Sequence, residues 1–210
     1  MDTARIAEVL EPFTIPPALS PQTLEQLHCY LDLLLRWNAR INLTAVRDPE
    51  QIVTRHFGES LFAARVLFDT SSRVPVTLAD VGSGAGFPGI PIKLYAPEIG
   101  LTLIESHNKK AVFLREVVRT LALDSVEVFC GRAEQCGKTA EVVTLRAVER
   151  FEQTLPVAAS LAAPGGKLCL LIGSAQIDSA RQVLGTGWKW RQPKNVPGSA
   201  SRVVLVAERV

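Results

Sequence analysis

The spacing of apolar residues changes near residue 75. Before it the period is helical. Leu24, Leu27, Cys29, Leu31, Leu34, Leu35 and Trp37 keep one face largely apolar, and Ser20-Pro21 supplies a capping hydroxyl followed by proline at the first helical position. This helix is predicted to end at about Trp37, with the mixed, polar stretch from Trp37 to Thr44 a loop. Asp48-Pro49-Glu50-Gln51 repeats the start signal, and Ile52, Val53, Phe57, Leu61, Phe62 and Val66 continue at helical spacing until the segment from Asp69 to Pro75 breaks it. From Val76 onward short apolar runs alternate with helical patterns. Strands are predicted at 76–81, 101–105, 126–130, 142–146, 167–172, about 188–192 and 202–208, and helices near 89–95, 108–122, 149–162 and 175–184. Such alternation favours a parallel sheet covered by helices on both faces. Pro193 to Ser199 is too short for a helical crossover, so the last two strands should close the sheet as an antiparallel hairpin. The expected organisation is an N-terminal helical extension over 1–72 and an α/β domain over 73–210 with a mostly parallel, seven-stranded sheet.

Composition narrows the partner only a little. A chain of 210 residues, 47% of them hydrophobic, is expected to bury a sizeable core. No run of about eighteen apolar residues indicates a membrane helix, and Met1-Asp2-Thr3-Ala4-Arg5 lacks the opening of a signal peptide, so a cytoplasmic protein is expected, with no membrane partner. Cys29, Cys130, Cys136 and Cys169 show no CxxC spacing and read as reduced, mostly core residues. His28, His56 and His107 make no ligand spacing with them or with acids, so no metal is expected. A net charge of +2 announces no nucleic-acid binder by itself.

Candidate chemistry concentrates at Leu78-Ala79-Asp80-Val81-Gly82-Ser83-Gly84-Ala85-Gly86-Phe87-Pro88-Gly89. A buried strand, three glycines at alternate positions and a following helix form a nucleotide cradle at the carboxyl end of the strand. NAD-dependent dehydrogenases and S-adenosylmethionine-dependent methyltransferases both use such a loop. Asp80, ahead of the first glycine, suits the ordering of the loop's amides or an ammonium group, and would repel a pyrophosphate. Glu105 ends the second strand where a ribose diol can donate to it, and Ala133-Glu134 after the third strand suit an adenine slot. Together these favour S-adenosylmethionine held by Asp80, Gly82, Ser83, Gly84, Gly86, Glu105, Ala133 and Glu134, with NAD left as the alternative.

The end of the fourth strand bears on the methyl acceptor. Val142-Val143-Thr144-Leu145-Arg146-Ala147 lacks the Asn/Asp-Pro-Pro-aromatic motif of amino-group methyltransferases, and Cys169, within a leucine-rich strand, is expected to be buried and inert rather than a thiolate nucleophile. Arg146 suits a carboxylate, a phosphate or the O6/N7 face of guanine, or else an ion pair with Glu149 or Glu152. Methylation at guanine N7 uses a free lone pair and needs alignment more than a base.

The chain resembles the bacterial glucose-inhibited division protein B family, small-subunit ribosomal RNA guanine-N7 methyltransferases. The resemblance lies in Trp37-Asn38, Asn42-Leu43-Thr44, Arg47-Asp48-Pro49, Arg55-His56-Phe57, Glu59-Ser60, the loop from Asp80 to Pro91, Glu105 with Lys109-Lys110, Phe113-Leu114, Arg132-Ala133-Glu134 and Arg146-Ala147. It implies a Rossmann-like S-adenosylmethionine-dependent methyltransferase fold, a monomer acting on 16S ribosomal RNA of the small subunit, and a catalytic group of Arg146, His56, Arg132 and Asn42. Gly82, Phe87, Ala133, Glu134 and Arg146 would touch the cofactor, and Arg36, Arg40, Arg47, Arg55 and Arg150 would extend the RNA-facing surface. One departure stands out. Where the family commonly carries lysine before the glycine closing the fifth strand, this chain has Ile172, so that either another cation, Lys194 or Arg150, substitutes or substrate engagement is weaker than usual. A catalytically silent RNA-binding or ribosome-assembly protein on the same fold is the remaining alternative.

Overall fold

A computed structural model describes residues 1–14, 19–68 and 76–210. The break expected at Asp69 to Pro75, and with it the boundary at 72/73, lies outside the described residues.

The N-terminal part is helical: α1 (Thr3–Leu10), α2 (Pro21–Asn38), α3 (Pro49–Ile52), a π-helical turn (Val53–Gly58) and α4 (Glu59–Leu67). Ser20 and Asp48 cap α2 and α3 as expected, accepting from the amides of Thr23 and Gln51 at 3.0 and 2.8 Å. Then follow β1 (Thr77–Val81), α5 (Gly89–Tyr95), β2 (Gly100–Glu105), α6 (Asn108–Thr120), β3 (Val126–Cys130), β4 (Ala140–Arg146), α7 (Phe151–Ser160), β5 (Ala162–Gly173), α8 (Ile177–Leu184), β6 (Trp188–Trp190), β7 (Lys194–Asn195) and β8 (Arg202–Arg209).

The strands form one sheet in the order β3-β2-β1-β4-β5-β8-β6, parallel from β3 to β5. β8 is antiparallel to both β5 and β6, which makes the expected closing hairpin. Two details differ from the sequence reading. β7, two residues long, pairs with β8 as an eighth strand, and β5 begins five residues earlier than expected, at Ala162. A register shift between Ala140 and Val142 carries Pro164-Gly165-Gly166 as an irregular lead-in, which apolar periodicity does not reveal.

Both faces are covered, so strand residues alternate between two cores. Leu78, Val142, Cys169, Leu171 and Val204 face the core shared with α1, α2, α4, α5 and α6. Val81, Val143, Leu145, Leu168, Leu170 and Ile172 face the core shared with α7 and α8. This two-sided burial explains why the strands read as continuous apolar runs. Only Cys169 of the four cysteines is core, since Cys130 is exposed and Cys29 and Cys136 are half-buried. Among the described residues no helix is long and apolar enough to cross a membrane.

Candidate active site

The glycine loop leaves β1 and returns as α5. Gly82, Gly84 and Gly86 have φ of 68°, 56° and 92°, so each needs the left-handed freedom expected of it. At Gly86 space is limiting as well, because a Cβ there would lie 2.5 Å from both Ile90 Cδ1 and the Tyr30 hydroxyl. The loop's amides are used internally. Those of Gly82 and Ser83 donate to Ile104 O at 2.9 and 3.0 Å, and those of Gly86 and Phe87 to Ser83 O at 2.6 and 3.1 Å. Gly84 N–H donates to Glu105 Oε2 at 2.9 Å and Gly89 N–H to Asp80 Oδ2 at 3.2 Å. A pyrophosphate needs such amides free, so this loop suits a nucleoside without phosphates.

Asp80 is fully buried beneath the loop, with Thr144 Oγ1 donating to Oδ1 at 2.7 Å. It therefore shapes the cradle and does not line it. Burial pushes its carboxyl up to about 6, against the opposing effects of Thr144, Gly89 and Arg146. Glu105 does line the cradle. Its oxygens accept from Gly84 N–H and, at 2.7 Å, from His107 N–H, and each keeps lone-pair capacity for a hydroxyl.

A cavity of about 600 Å³ opens over Gly82–Ala85 and is bounded by Phe87, Glu105, Thr44, His56 and Arg146. An adjoining one of about 390 Å³ shares Gly82 and Ser106 with it and is lined by Arg132, Ala133 and Glu134. Together they make an elongated cleft, from the expected adenine slot to Arg146.

Of the four expected catalytic residues, two meet. Arg146 Nη2 lies 3.0 Å from His56 Nδ1 and donates to Arg55 O at 2.8 Å. The guanidinium has only hydrogens to offer, so Nδ1 accepts and Nε2–H donates to Thr44 Oγ1, 2.8 Å away. His56 also stacks on Phe87, with ring centroids 4.9 Å apart. Burial and the charges of Arg146, Arg55 and Arg202 push its imidazole down to about 3, so it is neutral. Arg132 lies in the adjoining cavity instead, and Asn42 is exposed, with Oδ1 3.4 Å from Arg47 Nη2.

Three side chains central to this arrangement were given no role by the sequence. Tyr30 on α2 donates to Ala85 O and stacks between Phe57 and Phe87 at 5.2 and 5.4 Å, tying the helical segment to the loop. Glu59, not Glu149 or Glu152, is the ion-pair partner of Arg146, at 3.3 Å. Arg202, the register partner of Gly173, reaches the cavity beside Ile172, whereas neither Lys194 nor Arg150 lines it. Chain separation hides all three: residue 30 is 55 positions from residue 85, and residue 59 is 87 from residue 146. Cys169 is fully buried and its thiol is pushed up to about 12 by that burial, so it is no nucleophile. Among the described residues no metal-ligand cluster is present.

Comparison with known proteins follows this geometry. The family model described as rRNA small subunit methyltransferase G matches residues 23–185. A protein of Roseiflexus castenholzii named "Ribosomal RNA small subunit methyltransferase G" is 39% identical over 209 residues, covering 91% of this chain and 86% of its own length. A protein of the same name from Stenotrophomonas maltophilia is 38% identical over 207 residues, covering 97% and 92%. Among solved structures, TrmN from Thermus thermophilus superposes with a TM-score of 0.61 at 17% identity, over 75% of this chain and 53% of that one. A SAM dependent methyltransferase from Aquifex aeolicus gives 0.60 at 16%, over 78% and 94%. These likenesses show the Rossmann-like methyltransferase fold.

Proposed function

Because the chain belongs to the rRNA small subunit methyltransferase G family, we propose that it transfers a methyl group from S-adenosylmethionine to N7 of a guanine in 16S ribosomal RNA. The observation that carries this reading is the pairing of a cradle whose Gly82, Ser83, Gly84, Gly86 and Phe87 amides are engaged with a neutral, doubly bonded histidine beside a buried arginine. Glu105 would hold the ribose, Ala133 and Glu134 the adenine, and Gly82 to Gly84 the remainder of the cofactor. Bound there, S-adenosylmethionine supplies an electrophilic methyl: the guanine N7 lone pair forms the new bond, the departing pair stays on sulfur, and no proton leaves in that step.

The side chains suit such a base-free transfer. His56 has no free nitrogen, because Nδ1 accepts from Arg146 and Nε2 is bonded to Thr44. Its part is to orient Arg146, whose guanidinium also lies 5.9 Å over the Phe87 ring. Alignment and a fixed electrostatic environment are then the main sources of rate. Exposed Arg36, Arg40, Arg47 and Arg55 on the N-terminal side of the sheet's first strand, with Arg132 and Arg150 after β3 and β4, would contact phosphates and make RNA affinity fall with salt.

The test is transfer of label from S-adenosylmethionine to small ribosomal subunits or stripped 16S RNA, with the modified position mapped. Label at guanine N7 is expected. Label at a carbon or on protein would remove the substrate assignment, and tight NAD binding in calorimetry would remove the cofactor assignment.

A further inference from the structure

A second cavity, of about 200 Å³, lies beyond Arg146 at the carboxyl ends of β4 and β5. Its construction is unlike the cradle's. Phe151, Leu171 and Ile172 provide apolar walls, while Glu59, Arg146 and Arg202 converge at one end. Glu59 is 3% exposed and stands between the two guanidinium groups, with Arg146 Nη2 3.3 Å from Oε2 and Arg202 Nε 2.6 Å from Oε1. The second contact is near but misdirected. Among the described residues neither Glu59 Oε1 nor Arg202 Nε has a hydrogen-bond partner, although both atoms are buried. Ion-paired but without an aligned hydrogen bond, both atoms keep hydrogen-bonding capacity that native structures rarely leave unused in a buried place. They call for a ligand that donates to the carboxylate and accepts from the arginine.

A phosphate does not meet this description, since it would set a negative charge against Glu59 where a donor is called for. A flat purine with donors and an acceptor along one edge does. Guanine presents N1–H and N2–H₂ beside O6, and Arg146, Ala147 and Val148 border both this cavity and the one over the glycine loop. We propose that this cavity receives the target guanine and that Glu59 selects it, accepting from N1–H and N2–H₂ while Arg202 donates to O6. N7 then points past Ala147 and Val148 toward the cofactor cleft with its lone pair unengaged. Arg146 Nη2 is already committed to Arg55 O, His56 and Glu59. Adenine in the same place would set its N1 lone pair against Glu59 and its amino group against Arg202. Ile172 also finds a use: at a position where cation would meet base, an apolar side chain forms a wall.

The inference rests on the guanine-N7 reading and names the residue that chooses the base. Its test is equilibrium dialysis of guanosine, inosine and adenosine 5′-monophosphates against protein saturated with S-adenosylhomocysteine. Wild type should hold guanosine monophosphate about tenfold or more tighter than either competitor, inosine lacking the N2 amino group. Glu59→Gln should bring the three within about threefold of one another while S-adenosylhomocysteine affinity is kept. Arg202→Met should weaken guanosine and inosine monophosphates alike, because both carry O6, which gives a reading that does not depend on the Glu59 variant folding. Absent or equal binding by wild type, or an undiminished guanine preference in Glu59→Gln, would overturn the proposal. Either result with methyl transfer to N7 intact would leave the activity standing, whereas label at another atom would remove the activity itself.

Discussion

The glycine loop and the arginine cluster lie on either side of Arg146 and treat polar groups oppositely. In the loop the amides of Gly82, Ser83, Gly84, Gly86 and Phe87 are answered by Ile104 O, Ser83 O and Glu105. In the cluster Arg146 and Arg202 flank one carboxylate, and two buried polar atoms 2.6 Å apart make no aligned hydrogen bond. The loop recognises by shape, offering a contoured floor with its hydrogen bonds already spent. The cluster recognises by unmet demand. A shape can be built into the protein's own stability, whereas unpaired polar groups are a cost retained for a ligand.

Removing the group between the two regions should have the largest effect. Arg146→Ala deletes the partner of both His56 and Glu59 and is expected to lower methyl transfer about 10²- to 10³-fold, read in a single-turnover assay, with far-UV circular dichroism unchanged. Preserved turnover would take Arg146 out of the site.

Asp80 and His56 give a pH signature next in size. Asp80 rises from 3.8 to about 6 in the fold, so the stability it contributes is complete below 3.8 and is lost as pH climbs through 6. A shift of that size is worth about 3 kcal/mol. His56 falls from 6.5 to about 3, so the unfolded chain gains protons first and stability is lost as pH drops below 6.5. The two trends oppose each other in wild type between pH 4 and 6. Asp80→Asn keeps only the histidine trend, and its denaturant-unfolding free energy should decline more steeply on acidification than wild type's. Parallel curves would contradict the burial of Asp80.

Within the cradle, Gly86→Ala forces a methyl against Ile90 and Tyr30 at a positive φ and should cost about 2 kcal/mol in the same unfolding measurement. Smallest is Tyr30→Phe, which keeps both ring stacks and loses only the hydrogen bond to Ala85 O. About 1 kcal/mol of stability and a weakened S-adenosylmethionine Kd with unchanged kcat are expected, the pattern of a residue that positions the loop.

The same contrast explains what the sequence revealed. The cradle is contiguous, from Asp80 to Gly89, and its requirements for glycine, a preceding strand and a following helix are local, so it was legible together with the strand order that follows from alternating elements. The role of Asp80 was half legible: its position pointed to the loop, but only burial and the Thr144 contact show it below the cradle rather than in it. The cluster draws Arg55 from the π-helical turn and Glu59 from α4, one helical turn apart, but no spacing rule joins them to Arg146 of β4 or Arg202 of β8. A basic residue opening the last strand carried no pattern of its own. Its meaning comes from antiparallel register with Gly173.

β8 follows every other strand in chain order yet lies inside the sheet, between β5 and β6. During synthesis, which proceeds at about 5–20 residues per second, the ribosome releases β1 to β5 before β8, the neighbour of β5, exists. Until Arg202–Arg209 emerges, β5 has an open edge along Lys167–Gly173, a surface prone to mispairing. A nascent chain can therefore shape its cofactor cradle early, but it cannot complete the pocket containing Arg202. Premature termination ahead of this strand would yield a product with the glycine loop encoded in full and no means of closing its sheet.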